Sequence, residues 1–288
     1  MGIRWPERYG RANAPGWLEP IRRGIAAHIP LEAAELEQPV GNVVRAEIQA
    51  GSHRLDVVFD YNDSLELNPC AQVADLYFKL QYRLGGYGMA TVMPGGYVCP
   101  HFALYRHAHR WRELRARRTP KSDVLGRFRV QWDDPIRANA LELLGAQNSF
   151  RFFGGDRPVW WGEYMDEMCT ARVCLDLPGN GEICYRLVEY LATGACIIGP
   201  ELEAELPMPL RSGEHVVRVS RSLDGLVDEC ERLLGDAILR SRLSTAAADY
   251  FDRYLALEQL GAYYVHSAWN QLAGRPGAVV SSSSHVGT

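Results

Sequence analysis

The sequence predicts an α/β protein of two domains, a short one first and a doubly wound parallel sheet second. Three observations carry that prediction. The chain of 288 residues is longer than one average domain, and 47% hydrophobic with 23% charged residues suffices for a sizeable core. From Asp123 onward, apolar runs alternate with amphipathic stretches of ten to fifteen residues, as in parallel strands joined by crossover helices. Residues 172–200 then hold one strand–turn–helix–strand unit, RVCLDLPGNGEICYRLVEYLATGACIIGP, with a glycine-rich turn feeding a helix.

Residues 1–40 are rich in Pro, Gly and Arg and read as a lead-in with a short helical pattern near Leu18–His28. Residues 42–50 alternate like a strand, and 54–59 form a second one ending at Asp60-Tyr61-Asn62-Asp63. The segment ADLYFKLQYRL, 74–84, has helical apolar spacing, and Gly85-Gly86-Tyr87-Gly88 closes it. ATVMPG reads as the next strand. Phe102 to Arg118 is helical in pattern and broken by Thr119-Pro120, which ends an N-terminal domain of residues 1–120.

In the second domain, 121–255, the expected elements are a strand at 123–132, a helix ending at Gly145, a strand in SFRFFGG and a helix in EYMDEMCTAR. A strand from Val173 to Leu177 follows, then a helix from Glu182 to Gly194, a strand from Ala195 to Ile198, another at 215–220 and two helices within 222–252. An aromatic-rich helix at 256–273 is expected to cross back to the first domain, and the low-complexity tail, 274–288, to be disordered.

The net charge of −4 argues against a general nucleic-acid binder, and no such binding motif is present. Nine Lys/Arg against two acids between Arg106 and Arg129 nevertheless make that stretch +7, leaving about −11 elsewhere. The stretch reads either as a solvated helix or as a contact for an anionic acceptor or a membrane surface. Seven irregularly spaced cysteines without a CxxC pair read as reduced thiols with no metal site, and no signal-like or membrane-spanning run occurs. The expectation is a cytoplasmic protein whose membrane contact is at most peripheral.

The turn Gly179-Asn180-Gly181 opens a G-x-G-x-x-G pattern that fails at Cys184, which counts against a dinucleotide-dependent oxidoreductase. Its bland reading is a tight turn with glycines at positive φ. Arg186 and Glu189, three apart on the following helix, are either an exposed ion pair or a phosphate-binding guanidinium beside a carboxylate that accepts from sugar hydroxyls. Trp160, Trp161 and Tyr164 could stack on a base or sugar, or simply pack in the core.

The pattern G-x-G-E-x-x-x-R-L-x-E-x-L-x-x-G followed by an apolar strand resembles the nucleotide-sugar-binding segment of GT-B fold glycosyltransferases. It is most similar to bacterial relatives of the exostosin and protein O-glucosyltransferase (capsule-type) families. The resemblance covers roughly residues 121–255 and implies two Rossmann-like domains, with the diphosphate on Arg186 and the ribose on Glu189. It adds Gly179, Asn180, Gly181 and Glu182 to the donor side. It also adds Arg127, near the end of the first strand of that domain, with Arg137 on the next helix. Glu182 and Glu189 are seven apart, not the eight of the retaining E-x7-E motif, so inversion is expected.

The resemblance thus implies a metal-independent transfer of a sugar from a nucleotide-diphosphate sugar to an acceptor hydroxyl, with no cofactor. The base is expected from the first domain, where Asp60 and Asp63 follow a strand and His101 follows the next turn; as turn and surface residues they also have ordinary explanations. The acceptor is unidentified and can be anionic. The alternative is a non-catalytic nucleotide- or glycan-binding module on the same scaffold.

Overall fold

The computed structural model describes residues 1–130 and 135–274. The first strand, β1 (Gly2–Pro6), leads through helix α1 (Ala14–Ala26) to β2 (Leu31–Ala34), and β3 (Val43–Ala50) and β4 (His53–Asp60) form an antiparallel hairpin. Strands β5 (Leu76–Lys79), β6 (Tyr82–Arg83) and β7 (Val92–Pro94) precede the basic helix α2 (Ala103–Arg117). The first sheet runs β2-β1-β3-β4-β5-β7, with β4, β5 and β7 parallel.

The lead-in is therefore not a lead-in, because β1 sits inside the sheet between β2 and β3. Nor is 74–84 a helix. All four residues of β5 are buried, so the strand is covered on both faces and loses the alternation that marks a half-exposed one. Its aromatic run then mimics a helical stripe.

The second sheet is wholly parallel. Its elements are β8 (Ser122–Arg127), α3 (Pro135–Ala146), β9 (Phe152–Gly155), α4 (Trp161–Cys169), β10 (Ala171–Leu175), α5 (Tyr185–Thr193) and β11 (Ile197–Pro200). The short β12 (Ala204–Glu205), β13 (Val217–Val219), α6 (Leu226–Gly235) and α7 (Ala237–Tyr250) follow, and a π-turn at 251–255 leads into α8 (Leu257–Ala273). The sheet order is β13-β11-β10-β8-β9, a doubly wound arrangement whose direction reverses between β8 and β10. The α/β class and the doubly wound second sheet are as the sequence predicts. Strand β8 stops at Arg127, so the expected strand 123–132 is too long: residues 128–130 leave the sheet, and Gln131 and Trp132 lie outside the described residues, as does the tail from Arg275.

Helix α5 opens at Tyr185, leaving Glu182 in the loop, and ends at Gly194 in the left-handed conformation, φ 64°, that glycine adopts without strain. Arg186 and Glu189 are not an exposed pair, because every residue from Arg186 to Thr193 is buried. Neither Gly179 nor Gly181 has a positive φ; both are glycines because a neighbour approaches closely. A Cβ on Gly179 would lie 2.4 Å from Nη2 of Arg137, and one on Gly181 would lie 2.2 Å from Nε2 of Gln81 and 2.9 Å from the Asp63 carbonyl.

Helix α8 packs on the first sheet through Tyr264, whose ring meets Phe59 and Phe78 at 5.2 and 4.8 Å. It crosses α1 where Gly24 faces Gly261, at a distance no Cβ would permit. One apolar cluster runs through both sheets, joining Ile3, Phe59 and Tyr264 to Leu187, Tyr190 and Ile197. Among the described residues no helix is long and apolar enough to cross a membrane.

Candidate active site

In a doubly wound sheet the ligand crevice lies beyond the carboxyl ends of the strands at the reversal point, here β8 and β10. A cleft of about 1060 Å³ opens there. The second half lines it with Arg127 at the end of β8, Phe128 and Arg129 just beyond it, Arg137 of α3, residues 156–161 leading into α4, the turn 179–181 and the start of α5 through Glu189. Trp17, Asp63, Tyr97 and His101 of the first half form the opposite wall.

Arg186 and Glu189 meet the cleft from one face of α5. Arg186 is 7% exposed and its Nη1 donates to the Arg127 carbonyl at 2.9 Å. No carboxylate lies within 4 Å of it among the described residues, so this cation is buried without an ion pair. Burial acts to lower its pKa, but Cys184, Tyr190, Tyr164 and Asp176 outweigh that and the net shift is upward. Arg186 stays charged.

Glu189 is fully buried, and its Oε1 accepts from Trp161 Nε1 at 2.6 Å and from the Cys99 thiol at 3.6 Å. Its Oε2 has no partner. Burial raises its pKa to about 7 against the opposing pull of Trp161, Cys99 and Arg186. A buried cation without an ion pair and a buried acceptor oxygen without a partner, three residues apart on one helix, leave polar needs that a ligand can meet.

The turn is built from beneath by Arg137, which donates from Nε to the Pro178 carbonyl at 2.7 Å and from Nη1 to the Arg129 carbonyl at 2.8 Å. It is clasped from the first half by Gln81, fully buried between β5 and β6. The Gln81 amide donates to the Ile183 carbonyl at 2.7 Å and accepts from the Ile183 N–H at 3.0 Å. Beside that clasp β6 pairs antiparallel with β12, and Leu84 N–H donates to the Glu203 carbonyl at 2.7 Å.

Arg127 reaches the cleft, but its guanidinium forms a two-pronged ion pair with Glu167, one arm 2.6 Å long. What it lends Arg186 is its main-chain carbonyl. Glu182 is outside the cleft, paired with Arg221 at 2.7 Å and accepting the Glu203 N–H at 2.9 Å. Gly179, Asn180 and Gly181 line it.

Of the three candidate bases, Asp60 is withdrawn from the cleft by its own fold. Its carboxylate accepts from Lys79 Nζ at 3.0 Å, Asn62 N–H at 2.8 Å and the Tyr77 hydroxyl, all in the interior. Asp63 does face the cleft; its Oδ1 accepts from Tyr97 Oη at 3.2 Å and Gln81 Nε2 at 3.4 Å, while its Oδ2 takes no described protein bond. Burial raises its pKa, which suits proton acceptance. His101 stacks on Trp161 at 4.8 Å and 28°, and burial lowers its pKa, so it is neutral near pH 7.

Trp161 is a residue that sequence reasoning placed only as a stacking candidate; Gln81, Tyr97 and Trp17 it missed. None of these lies in a motif, and only the pairing of the two halves brings them together.

Three arginines of the basic stretch are engaged within the molecule, while Arg106, Arg110, Arg117 and Lys121 are exposed. Arg112 binds Asp252 and the Ala192 carbonyl, Arg115 the carbonyls of Met168 and Ala171, and Arg118 binds Asp166.

The chain is similar in fold to a glycosyltransferase from Rickettsia africae, at a TM-score of 0.48 and 10% identity over 76% of this chain and 71% of that one. It is also similar to HepE of Anabaena, solved with UDP (TM-score 0.44, 12% identity, 70% of this chain and 65% of that one). HepE with UDP-glucose gives a TM-score of 0.40 at 14% identity, over 69% and 65%. The chain thus spans slightly less than two thirds of HepE. No curated protein sequence matches it. A family model described as glycosyl transferase-like does match, over residues 105–259, more than half of the chain and all of the second sheet, so the protein belongs to the glycosyl transferase-like family.

Proposed function

We propose that the protein transfers a sugar from a nucleotide-diphosphate sugar to an acceptor hydroxyl, with inversion and without a metal. The observation that carries this is Arg186, a cation buried in the cleft wall with no carboxylate beside it. A diphosphate would supply the missing charge, with the N-terminus of α5 adding its free N–H groups and dipole. Glu189 Oε2 would accept from the ribose hydroxyls. These are the roles that the resemblance to exostosin and capsule-type enzymes gives the arginine and glutamate of R-x-x-E. The match of UDP-bound HepE makes uridine nucleotides the first donors to try.

In this scheme the acceptor hydroxyl attacks the anomeric carbon from the side of the first sheet and its proton passes to Asp63. The C–O bond to the diphosphate breaks on the opposite side, and charge developing on that leaving oxygen falls to Arg186 and the helix terminus. Arg127 can join only by loosening its hold on Glu167.

Binding of UDP, GDP, ADP, CDP and dTDP by calorimetry, followed by turnover of the sugars of whichever binds, tests the proposal. Arg186→Ala should weaken binding about 100-fold with the fold intact. Unchanged binding in that variant, or no binding of any diphosphate by the native protein, overturns it.

A further inference from the structure

Resting on glycosyl transfer in this cleft, we infer that the acceptor is an uncharged saccharide whose ring lies against Trp17 and whose reacting hydroxyl is held by Asp63.

The cleft is electrostatically split. Among the described residues its cations, Arg127, Arg129, Arg137, Arg157 and Arg186, all come from the second half, where they outnumber the carboxylates Asp156, Glu163 and Glu189. The first half contributes Trp17, Tyr97, His101 and one carboxylate, and no cation. A phosphate or carboxylate on the acceptor near its reacting hydroxyl would have to sit beside Asp63 in a partly desolvated wall, where like charges cost most. The basic helix offers little compensation, since none of its arginines lines the cleft.

The shape of that wall matches a pyranose. Trp17 is half-buried, meets Tyr97 edge-on at 5.5 Å and 68°, and borders the cleft. Asp63 hangs from the Tyr97 hydroxyl through Oδ1, leaving Oδ2 to accept. An aromatic surface next to a hydrogen-bond acceptor suits a ligand with an apolar C–H face and a polar rim. A flat phenolic acceptor would use the ring but leave the carboxylate poorly matched. A lipid chain would leave it desolvated without a partner.

The test is saturation-transfer NMR on the full chain with methyl pyranosides of glucose, galactose, mannose and N-acetylglucosamine, beside glucose 6-phosphate, glucuronic acid and a simple phenol. At least one neutral pyranoside should receive saturation on its ring protons. Trp17→Ala should weaken that ligand roughly tenfold while Trp17→Phe retains it. Asp63→Asn, which keeps the shape, should also weaken it, and serves if Trp17→Ala does not fold.

Saturation confined to the charged or phenolic probes, none on any sugar, or full retention in both Trp17→Ala and Asp63→Asn overturns the inference. Diphosphate binding is scored separately in each variant. Nucleotide binding without sugar binding therefore sinks the acceptor inference alone, and sugar binding without nucleotide binding sinks only the donor assignment.

Discussion

Glu189 should make the protein less stable than it need be at neutral pH. Burial lifts its pKa from the ordinary 4.5 to about 7, so the native state holds a proton that the unfolded chain has already released. Stability therefore falls as pH rises from about 4.5 through 7 and is flat above. The full penalty, present at pH 8, is on the order of 3 kcal/mol. Glu189→Gln keeps the acceptor for Trp161 Nε1 and removes the charge. It should melt about 5 °C above the native protein at pH 8, with the gap closing as pH approaches 4.5.

Ligand binding should move the other way. If the ionised carboxylate accepts from ribose, only about one tenth of the protein is ready at pH 6, and diphosphate affinity should drop about tenfold between pH 8 and pH 6. Titration of the diphosphate itself adds a dependence common to both proteins, so the informative quantity is the difference between native and Glu189→Gln, measured by calorimetry at both pH values. Melting curves that do not diverge with pH, or a variant less stable at pH 8, would refute a desolvated Glu189 anion as the cause.

Three other expectations can be checked by denaturation and binding. Arg186→Met, which keeps most of the side-chain volume, should lose diphosphate binding while melting within a few degrees of the native protein; a strongly destabilised variant would mean that Arg186 is a structural residue. Gln81→Leu leaves the Ile183 N–H and carbonyl unpaired and should cost about 2–4 kcal/mol in urea unfolding. It also removes a donor that lowers the Asp63 pKa, so the acid limb of any pH–rate profile should move to higher pH. Lys79→Met strands the buried Asp60 carboxylate and should cost about 3–5 kcal/mol, much of it recovered by adding Asp60→Asn; a single-mutant loss below about 1 kcal/mol would contradict a tight interior pair.

The second sheet was legible because its strands are short apolar runs separated by amphipathic helices, a local signal at every step. The first sheet was not. Strand β5 is buried on both faces and loses its alternation, and β1 owes its place to partners about 30 and 45 residues away, Leu31 and Ile48, which no local window contains. At the cleft, Arg186 and Glu189 were found because a turn and a helix set them three apart. Their burial was not foreseeable, since α5 lies between α2 and α7, which bury every residue from Arg186 to Thr193. The failure at Asp60 has a like cause: a residue ending a strand can turn inward when a buried lysine, here Lys79, waits on the next strand. Asp63, three residues on, is the one the turn delivers to the cleft.

The close passage of Gly24 against Gly261 has a consequence for how the chain acquires its shape during synthesis. Helix α1 and the first sheet are made early, but the layer that seals them, with Tyr264 donating to the Gly95 carbonyl, belongs to residues 257–273. The second sheet, contiguous from Ser122 to Val219, can pair its strands as it leaves the ribosome. The first half must wait, its apolar side uncovered, until nearly all of the described chain has emerged. Assembly order is thus inverted relative to sequence order. Slowing translation across 220–256 would prolong that exposed interval, and a chaperone's demand for this protein should be greatest there.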